Sequence, residues 1–329
     1  MRANLVERIQ SPSVYFYDLY PKQDDYINEI IIGLQKSPKN ISPKFFYNEQ
    51  GSKLFSQICE LKEYYPTRTE MKILQSCVKE LAEIIDDDCA IIEYGCGSSE
   101  KIQILLDAMP ACQTYVGVDI SKEALLELAD FLSASYLDLE VIALAADFTK
   151  AFQLPFQFGK RLKKIAFFPG SSFGNFEKDM GHRFLQNVAN TVGSGGGLLI
   201  GVDLKKSPYI LNDAYNDSQG VTAEFNLNIL NRLNQICASH FNHKHFEHHA
   251  FYNEEEGRIE MHLKSLIDHS VEVAGSNILF KRGENIHTEN SYKYSIEEFQ
   301  YLAVRAGWLP QRYWTDDESL FSVHYLEAV

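Results

Sequence analysis

The chain has 329 residues, 45% of them hydrophobic and 23% charged, with a formal net charge of -14 at neutral pH. That length suffices for one large packed domain or two moderate ones. The acidic excess repels a nucleic-acid backbone or an anionic lipid surface from most of the exterior, which favours a small-molecule partner over either.

Residues 1–71 are rich in aromatics and turn formers, as in PKFFYNEQGSKLF and KEYYPTRTE. From 72 to 204, β-rich runs alternate with helical periodicity. AIIEY (90–94) is followed by Ile102, Leu105, Leu106 and Met109 at i, i+3, i+4, i+7 spacing, which gives one helix a single apolar face. TYVGVD (114–119) is followed by Leu125, Leu128, Ala129 and Leu132 in the same pattern. LEVIALAAD, KKIAFF and GGLLIGVD supply three more strands, with a helix carrying Leu185, Val188, Ala189 and Val192 before the last. This order predicts right-handed crossovers and an α/β, Rossmann-like, doubly wound parallel sheet. Residues 205–290 lack the alternation, whereas FSVHYLEAV (321–329) reads as one more strand. The sheet therefore resumes after an insertion, and the expected division is 72–204 with 291–329 against 1–71 with 205–290.

The first strand ends in Gly95-Cys96-Gly97 and a helix opens at Ser98-Ser99, an arrangement that turns free backbone N–H groups toward a ligand at the carboxyl edge of the sheet. Two glycines also serve a plain tight turn. The dinucleotide pattern GxGxxG is incomplete, because position 100 is Glu, and a negative side chain there disfavours a pyrophosphate. Asp119 ends the second strand, where a carboxylate can accept both hydroxyls of a ribose. Asp147 and Phe148 end the third, where an acid and an aromatic ring can bracket an adenine. A nucleoside without a phosphate fits, and S-adenosylmethionine is the expected cofactor. Glu93 completes the E-x-G-x-G pattern of class I methyltransferases.

The blocks PKFFYNEQGSKLFSQICELKEYYPTRTE, IIEYGCGSSEK, YVGVDIS, ADF, GSSFGN, DAYNDSQGVTAEFNLN, RIEMHLKS and TENSYKY resemble, in order, those of the histidine-specific N-alpha-methyltransferases of ergothioneine biosynthesis. The resemblance runs from about residue 40 to the C-terminus. It implies a methyltransferase domain carrying a second, substrate-gripping domain made of the N-terminal segment and the insertion. It places the cofactor site on Gly95, Lys101, Asp119, Asp147 and Phe148, with Gly170 and Ser172 beside them. It also implies that Asn175 of GSSFGN and Tyr215 hold the carboxylate and amino end of the amino acid, and that Tyr47, Glu289 and Ser291 surround an imidazole lined by Met261. A neutral imidazole offers one donor and one acceptor, which a carboxylate and a hydroxyl satisfy together. The chain departs from the family in having Gly170-Ser171-Ser172 where G-G-T is commoner, and Tyr292 where a small residue follows the serine; both bear on pocket shape.

The implied reaction is transfer of methyl groups from S-adenosylmethionine to the α-amine of L-histidine, three in succession to the betaine hercynine. Phe55, Tyr64 and Tyr215 are candidate surfaces for the growing cation. No catalytic acid or base has a strong signature, so the amine proton is expected to leave to water, assisted by Tyr47 or the Asn175 turn. Two alternatives are an N-methyltransferase of a tryptophan derivative, against which Glu289 discriminates because an indole has no acceptor nitrogen, and a non-catalytic S-adenosylmethionine sensor. The run His240, His243, His245, His248 and His249 invites a metal. However, interleaved phenylalanines and the lack of a completing acid favour solvent-facing histidines on a strand or hairpin, and no metal is expected. The six cysteines, Cys59, Cys77, Cys89, Cys96, Cys112 and Cys237, form no CxxC pair. The N-terminus has no apolar signal core, and no run approaches the ~20 residues of a membrane helix. A cytoplasmic monomer without nucleic-acid or membrane partner is the expectation.

Overall fold

The computed structural model describes residues 4–8, 14–19, 23–85, 88–97, 99–158 and 162–329. The chain divides into two compact units. The first comprises Met1–Tyr20, Pro66–Lys205 and Tyr294–Val329, and the second Pro21–Tyr65 and Lys206–Lys293.

The first unit is built on a nine-stranded sheet. Its spatial order is Asn4–Arg8, Val14–Asp18, Glu140–Ala145, Thr114–Asp119, Cys89–Tyr94, Lys163–Phe168, Gly197–Asp203, Phe321–Ala328 and Trp308–Thr315. The strands from Val14–Asp18 to Gly197–Asp203 are mutually parallel, and Phe321–Ala328 runs antiparallel to both of its neighbours. Cys89–Tyr94 is buried at every position, as expected of a parallel strand covered on both faces. The apolar stripe Ile102, Leu105, Leu106 and Met109 is buried, as are Leu125, Leu128, Ala129 and Leu132, so these helices pack by the faces their spacing defines. Among the described residues no helix is long and apolar enough to cross a membrane.

The expected division needs correction at its edges. Residues up to Tyr20 go with the first unit because Val14–Asp18 pairs in parallel with Glu140–Ala145 and extends the sheet. Ser291, Tyr292 and Lys293 go with the second, because the strand Asn285–Tyr292 is hydrogen-bonded along its length to Arg258–Ser265.

The second unit holds a four-stranded sheet, ordered Lys39–Asn40, Asn285–Tyr292, Arg258–Ser265, Phe246–Asn253, and a separate hairpin of His269–Val273 with Ser276–Phe280. Helices Gln23–Gln35, Glu49–Glu60, Pro208–Tyr215 and Val221–Cys237 complete it. The last of these starts where Asp217 accepts the backbone N–H groups of Val221 and Thr222 at 2.9 and 2.8 Å, satisfying two of the amides a helix leaves open at its start.

Candidate functional site

In the first unit, the candidate cofactor residues gather at the carboxyl ends of adjacent parallel strands. Gly95 has φ +81°, a conformation that side chains rarely adopt, and its missing Cβ faces the Phe148 ring. A Cβ on Gly97 would meet nothing within 4 Å, so the turn presents open backbone. Ser98 lies outside the described residues, and the helix runs Ser99–Ala108. The Asp119 carboxylate is gripped from behind: Cys96 donates its N–H to Oδ2 and Ser121 to Oδ1, both at 2.8 Å. Each oxygen keeps a second lone pair, and two such acceptors match a vicinal diol. Burial raises the Asp119 pKa to about 6 against the lowering effect of those N–H groups. Asp147 is buried and accepts from the Thr149 backbone at 3.1 Å and from its hydroxyl. The Phe148 ring lies against Phe168, Tyr94 and Phe184, with centroids 5.8, 6.2 and 6.2 Å away.

Of two further buried acids, Glu70 escaped assignment from sequence and Glu93 was read only as part of the glycine-turn pattern. Glu70, 1% exposed, accepts the Gly170 N–H with both carboxylate oxygens at 2.8 and 2.9 Å and pairs with the Lys101 ammonium. It thereby ties two candidate cofactor residues together, and the ammonium has donors left for a second acceptor. Ser172, exposed, and Asn175, half-buried, are the ends of the single turn that follows. Glu93 faces inward instead: Tyr115 donates to Oε2, Oε1 has no partner among the described residues, and burial raises the pKa to about 8. Its raised pKa favours the protonated form, and its bond to Tyr115 braces the strand. The signal for Glu70 was an acid at the end of PTRTE inside an amphipathic helix; for Glu93 it was an acid within a fully apolar strand.

In the second unit, Tyr47, Phe55, Tyr64 and Tyr215 form a chain of edge-to-face rings, with successive centroids 5.9, 6.3 and 6.3 Å apart. Phe225, missed from sequence as an ordinary helix-core residue, lies 6.0 Å from both Tyr47 and Phe55. Tyr47 is fixed by the next residue, because Asn48 caps helix Glu49–Glu60 by accepting from Gly51 at 2.8 Å and also accepts from Asn228 at 2.9 Å.

Glu289 owes its orientation to a bulge. His262 stands opposite His287 and Met261 opposite Glu289, so Thr288 is an extra residue in its strand. The insertion turns Glu289 and Ser291 to the face of Met261, away from that of His287. Asn226 holds the bulge. Its Oδ1 accepts from the Thr288 hydroxyl at 2.8 Å, while its Nδ2 reaches His248 Nδ1 at 2.8 Å. His248 Nε2 in turn reaches the Tyr215 carbonyl at 3.0 Å. His248 therefore faces inward, which corrects the expectation that the histidine run is wholly solvent-facing; an amide that must be satisfied on α-helix Val221–Cys237 draws it in. Glu289 is buried, and among the described residues its carboxyl has no hydrogen-bond partner; burial raises its pKa to about 8, opposed by the charge of Lys293. Lys293, 2% exposed and also missed, donates to Ser291 Oγ at 2.7 Å.

Among the described residues, the group with metal-ligand spacing is Glu260, His262 and His287, not the run at 240–249. Glu260 already accepts from Arg258 at 2.9 Å and Asn253 at 3.0 Å, with His262 Nε2 3.0 Å from its other oxygen.

A family model described as histidine-specific methyltransferase, SAM-dependent, matches residues 26–328. The chain belongs to that family. This methyltransferase is 36% identical to the histidine N-alpha-methyltransferase of Mycolicibacterium smegmatis over 90% of its own length and 92% of that protein's. It is 32% identical to ergothioneine biosynthesis protein 1 of Neurospora crassa, over 84% of its own length and 32% of that protein's. It is 26% identical to a 4-dimethylallyltryptophan N-methyltransferase of Claviceps purpurea, over 93% of its own length and 95% of that protein's. It is an S-adenosylmethionine-dependent enzyme with a Rossmann-like methyltransferase sheet.

Proposed function

We propose that the enzyme transfers methyl groups from S-adenosylmethionine to the α-amino group of L-histidine, three in succession, giving N-alpha,N-alpha,N-alpha-trimethylhistidine. The observation that carries this reading is the buried Glu289 carboxyl, unpartnered among the described residues and two positions from the Ser291 hydroxyl on one strand face. An imidazole supplies what that pair lacks: an N–H for the carboxyl and a lone pair for the hydroxyl. An indole has no ring acceptor and leaves the hydroxyl donor unanswered, which disfavours a tryptophan derivative.

In the same reading, Asp119 takes the ribose hydroxyls, Lys101 and Gly170 the amino-acid end of the cofactor, and Asp147 with Phe148 the adenine. Tyr215 and Asn175 hold the carboxylate and amino end of histidine, and Tyr47 stands with Glu289 and Ser291 around its imidazole. The sulfonium already carries its leaving group, so catalysis is chiefly the placing of a deprotonated amine lone pair in line behind the C–S bond. The proton leaves to water. The Tyr47, Phe55, Tyr64 and Tyr215 rings offer the successive ammonium species a π surface in place of water. The proposed enzyme acts as a monomer on small molecules. The test is incubation with S-adenosylmethionine and all the common amino acids, read by mass. Histidine alone should gain one, two and then three methyl groups; preferential methylation of another amino acid overturns the reading.

A further inference from the structure

Lys293 is an unexpected residue to find 2% exposed at the end of a strand that carries a candidate binding carboxyl. Burying an ammonium is costly unless its hydrogens are used. Here Nζ donates to Ser291 Oγ at 2.7 Å and lies 3.4 Å from the Tyr215 hydroxyl, with the ammonium 5.2 Å from the Tyr215 ring centroid. It also stands four residues beyond Glu289 on the alternating face of the strand, close enough to lower that carboxyl's pKa.

An ammonium only donates. A serine hydroxyl has one hydrogen and two lone pairs, and once a lone pair accepts from Lys293 the hydrogen must be directed to another group. We propose that Lys293 is a positioning residue that turns the Ser291 hydroxyl hydrogen outward as a donor and so sets the ligand's polarity. A ligand that presents an acceptor nitrogen to Ser291 is then favoured, while Glu289 takes a ring N–H. This inference rests on the histidine reading above and deepens it: selectivity lies in the direction of one hydroxyl hydrogen, held by the cation beside it.

The test compares histidine with 3-(pyrrol-2-yl)alanine, which keeps a ring N–H but has carbon in place of the acceptor nitrogen. Wild type should prefer histidine, and Lys293→Met should raise KM for histidine by roughly 10- to 100-fold with a smaller change in kcat. The same variant should lose most of the preference over the pyrrole, because an unpinned hydroxyl can turn its oxygen to either ring. Ser291→Ala should remove the preference too, and adding Lys293→Met to it should cost little more, since the lysine acts through that oxygen. Cofactor affinity by calorimetry should stay within about 3-fold of wild type in each folded variant. If Lys293→Met does not melt cooperatively, Lys293→Gln, whose amide both donates and accepts, should lose the preference partially. A folded Lys293→Met or Lys293→Gln enzyme with unaltered histidine KM and unaltered preference overturns the inference, as do fully additive losses in the double variant. A wild type that methylates the pyrrole as well as histidine overturns the polarity argument itself. A wild type inactive on histidine overturns the reading on which it rests and is seen before any variant is made.

Discussion

Asp119, half-buried, and Glu289, buried, both carry carboxyls with raised pKa values, yet they are prepared for different partners. Asp119 already accepts two backbone N–H groups, so its negative form is held ready for hydroxyl donors. Asp119→Ala should weaken S-adenosylmethionine binding by about 1.5–3 kcal/mol for each charged hydrogen bond lost. Calorimetry showing unchanged affinity removes the ribose assignment. Because its pKa in the empty site is about 6 and accepting hydroxyls favours the ionised form, cofactor affinity should rise with pH through that value and then level off. Asp119→Asn should flatten the curve. Glu289, without a partner, is tuned to meet one. Glu289→Ala should cut kcat/KM for histidine roughly 10- to 150-fold, the equivalent of a charged hydrogen bond, with cofactor affinity nearly intact. Relative activity on tryptophan or phenylalanine should rise, since no buried carboxyl is left unsatisfied. A folded variant with wild-type histidine kinetics contradicts the assignment.

At the scale of elements, two backbone features orient the candidate residues. The first is Gly201 in strand Gly197–Asp203: a Cβ there would lie 2.4 Å from Glu70 Oε1 and 2.6 Å from the Gly170 carbonyl. Both neighbours belong to the Glu70, Lys101 and Gly170 cluster, and one is backbone that cannot swing aside. Gly201→Ala should therefore destabilise the fold by about 1–3 kcal/mol through overpacking and weaken cofactor binding together with it, measured by denaturant unfolding and calorimetry on the same sample. Stability and affinity both equal to wild type would show that the cluster is not rigid. The second feature is the Thr288 bulge, whose extra residue is the reason Glu289 shares a face with Met261 rather than with His262. Deleting Thr288 removes the extra residue and leaves His287 and Glu289 alternating simply, so Glu289 and Ser291 keep the face of Met261 while the Thr288 bond to Asn226 is lost. Histidine kcat/KM of the folded variant should stay within roughly 10-fold of wild type, with a lower melting temperature. Loss of histidine turnover in a folded variant that still binds S-adenosylmethionine would show that the local geometry of the bulge, and not the face alone, positions Glu289.

For the molecule as a whole, the unusual carboxyls shape stability against pH. The Glu289 pKa in the folded chain is about 8, raised from 4.5, and that of Glu93 is also about 8. A raised carboxyl stays protonated in the folded state after the unfolded chain has ionised, so stability falls as pH rises from about 4.5 toward 8. His324, buried with its pKa lowered to about 3 from 6.5, acts in the other direction: stability falls as pH drops below about 6.5. The ligand-free melting temperature of Glu289→Gln should consequently decline less between pH 5 and 8 than that of wild type. Parallel curves for the two proteins would show that Glu289 ionises normally. Saturating histidine should raise the melting temperature of wild type more than that of the variant.

The sequence by itself determined the parallel sheet, because continuously apolar runs alternate with helices of one 3.6-residue apolar face, and a sheet covered on both sides by those helices buries both. It also determined the glycine turn and the acids at the strand ends, where residue type and position along a strand already dictate chemistry. The family's order of blocks pointed to Glu289 and Ser291. Only the tertiary structure decided which buried polar groups meet. Glu70 reaches Gly170 across 100 residues, and His248 is drawn inward by Asn226. Lys293 turns out to pin the hydroxyl of Ser291, although strand alternation already put the two on one face. The strand Val14–Asp18 joined the sheet rather than the second unit for a similar reason: its partner, Glu140–Ala145, lies more than a hundred residues away. Periodicity records which face of an element is buried, and hydrogen bonding between distant side chains leaves no such period to read.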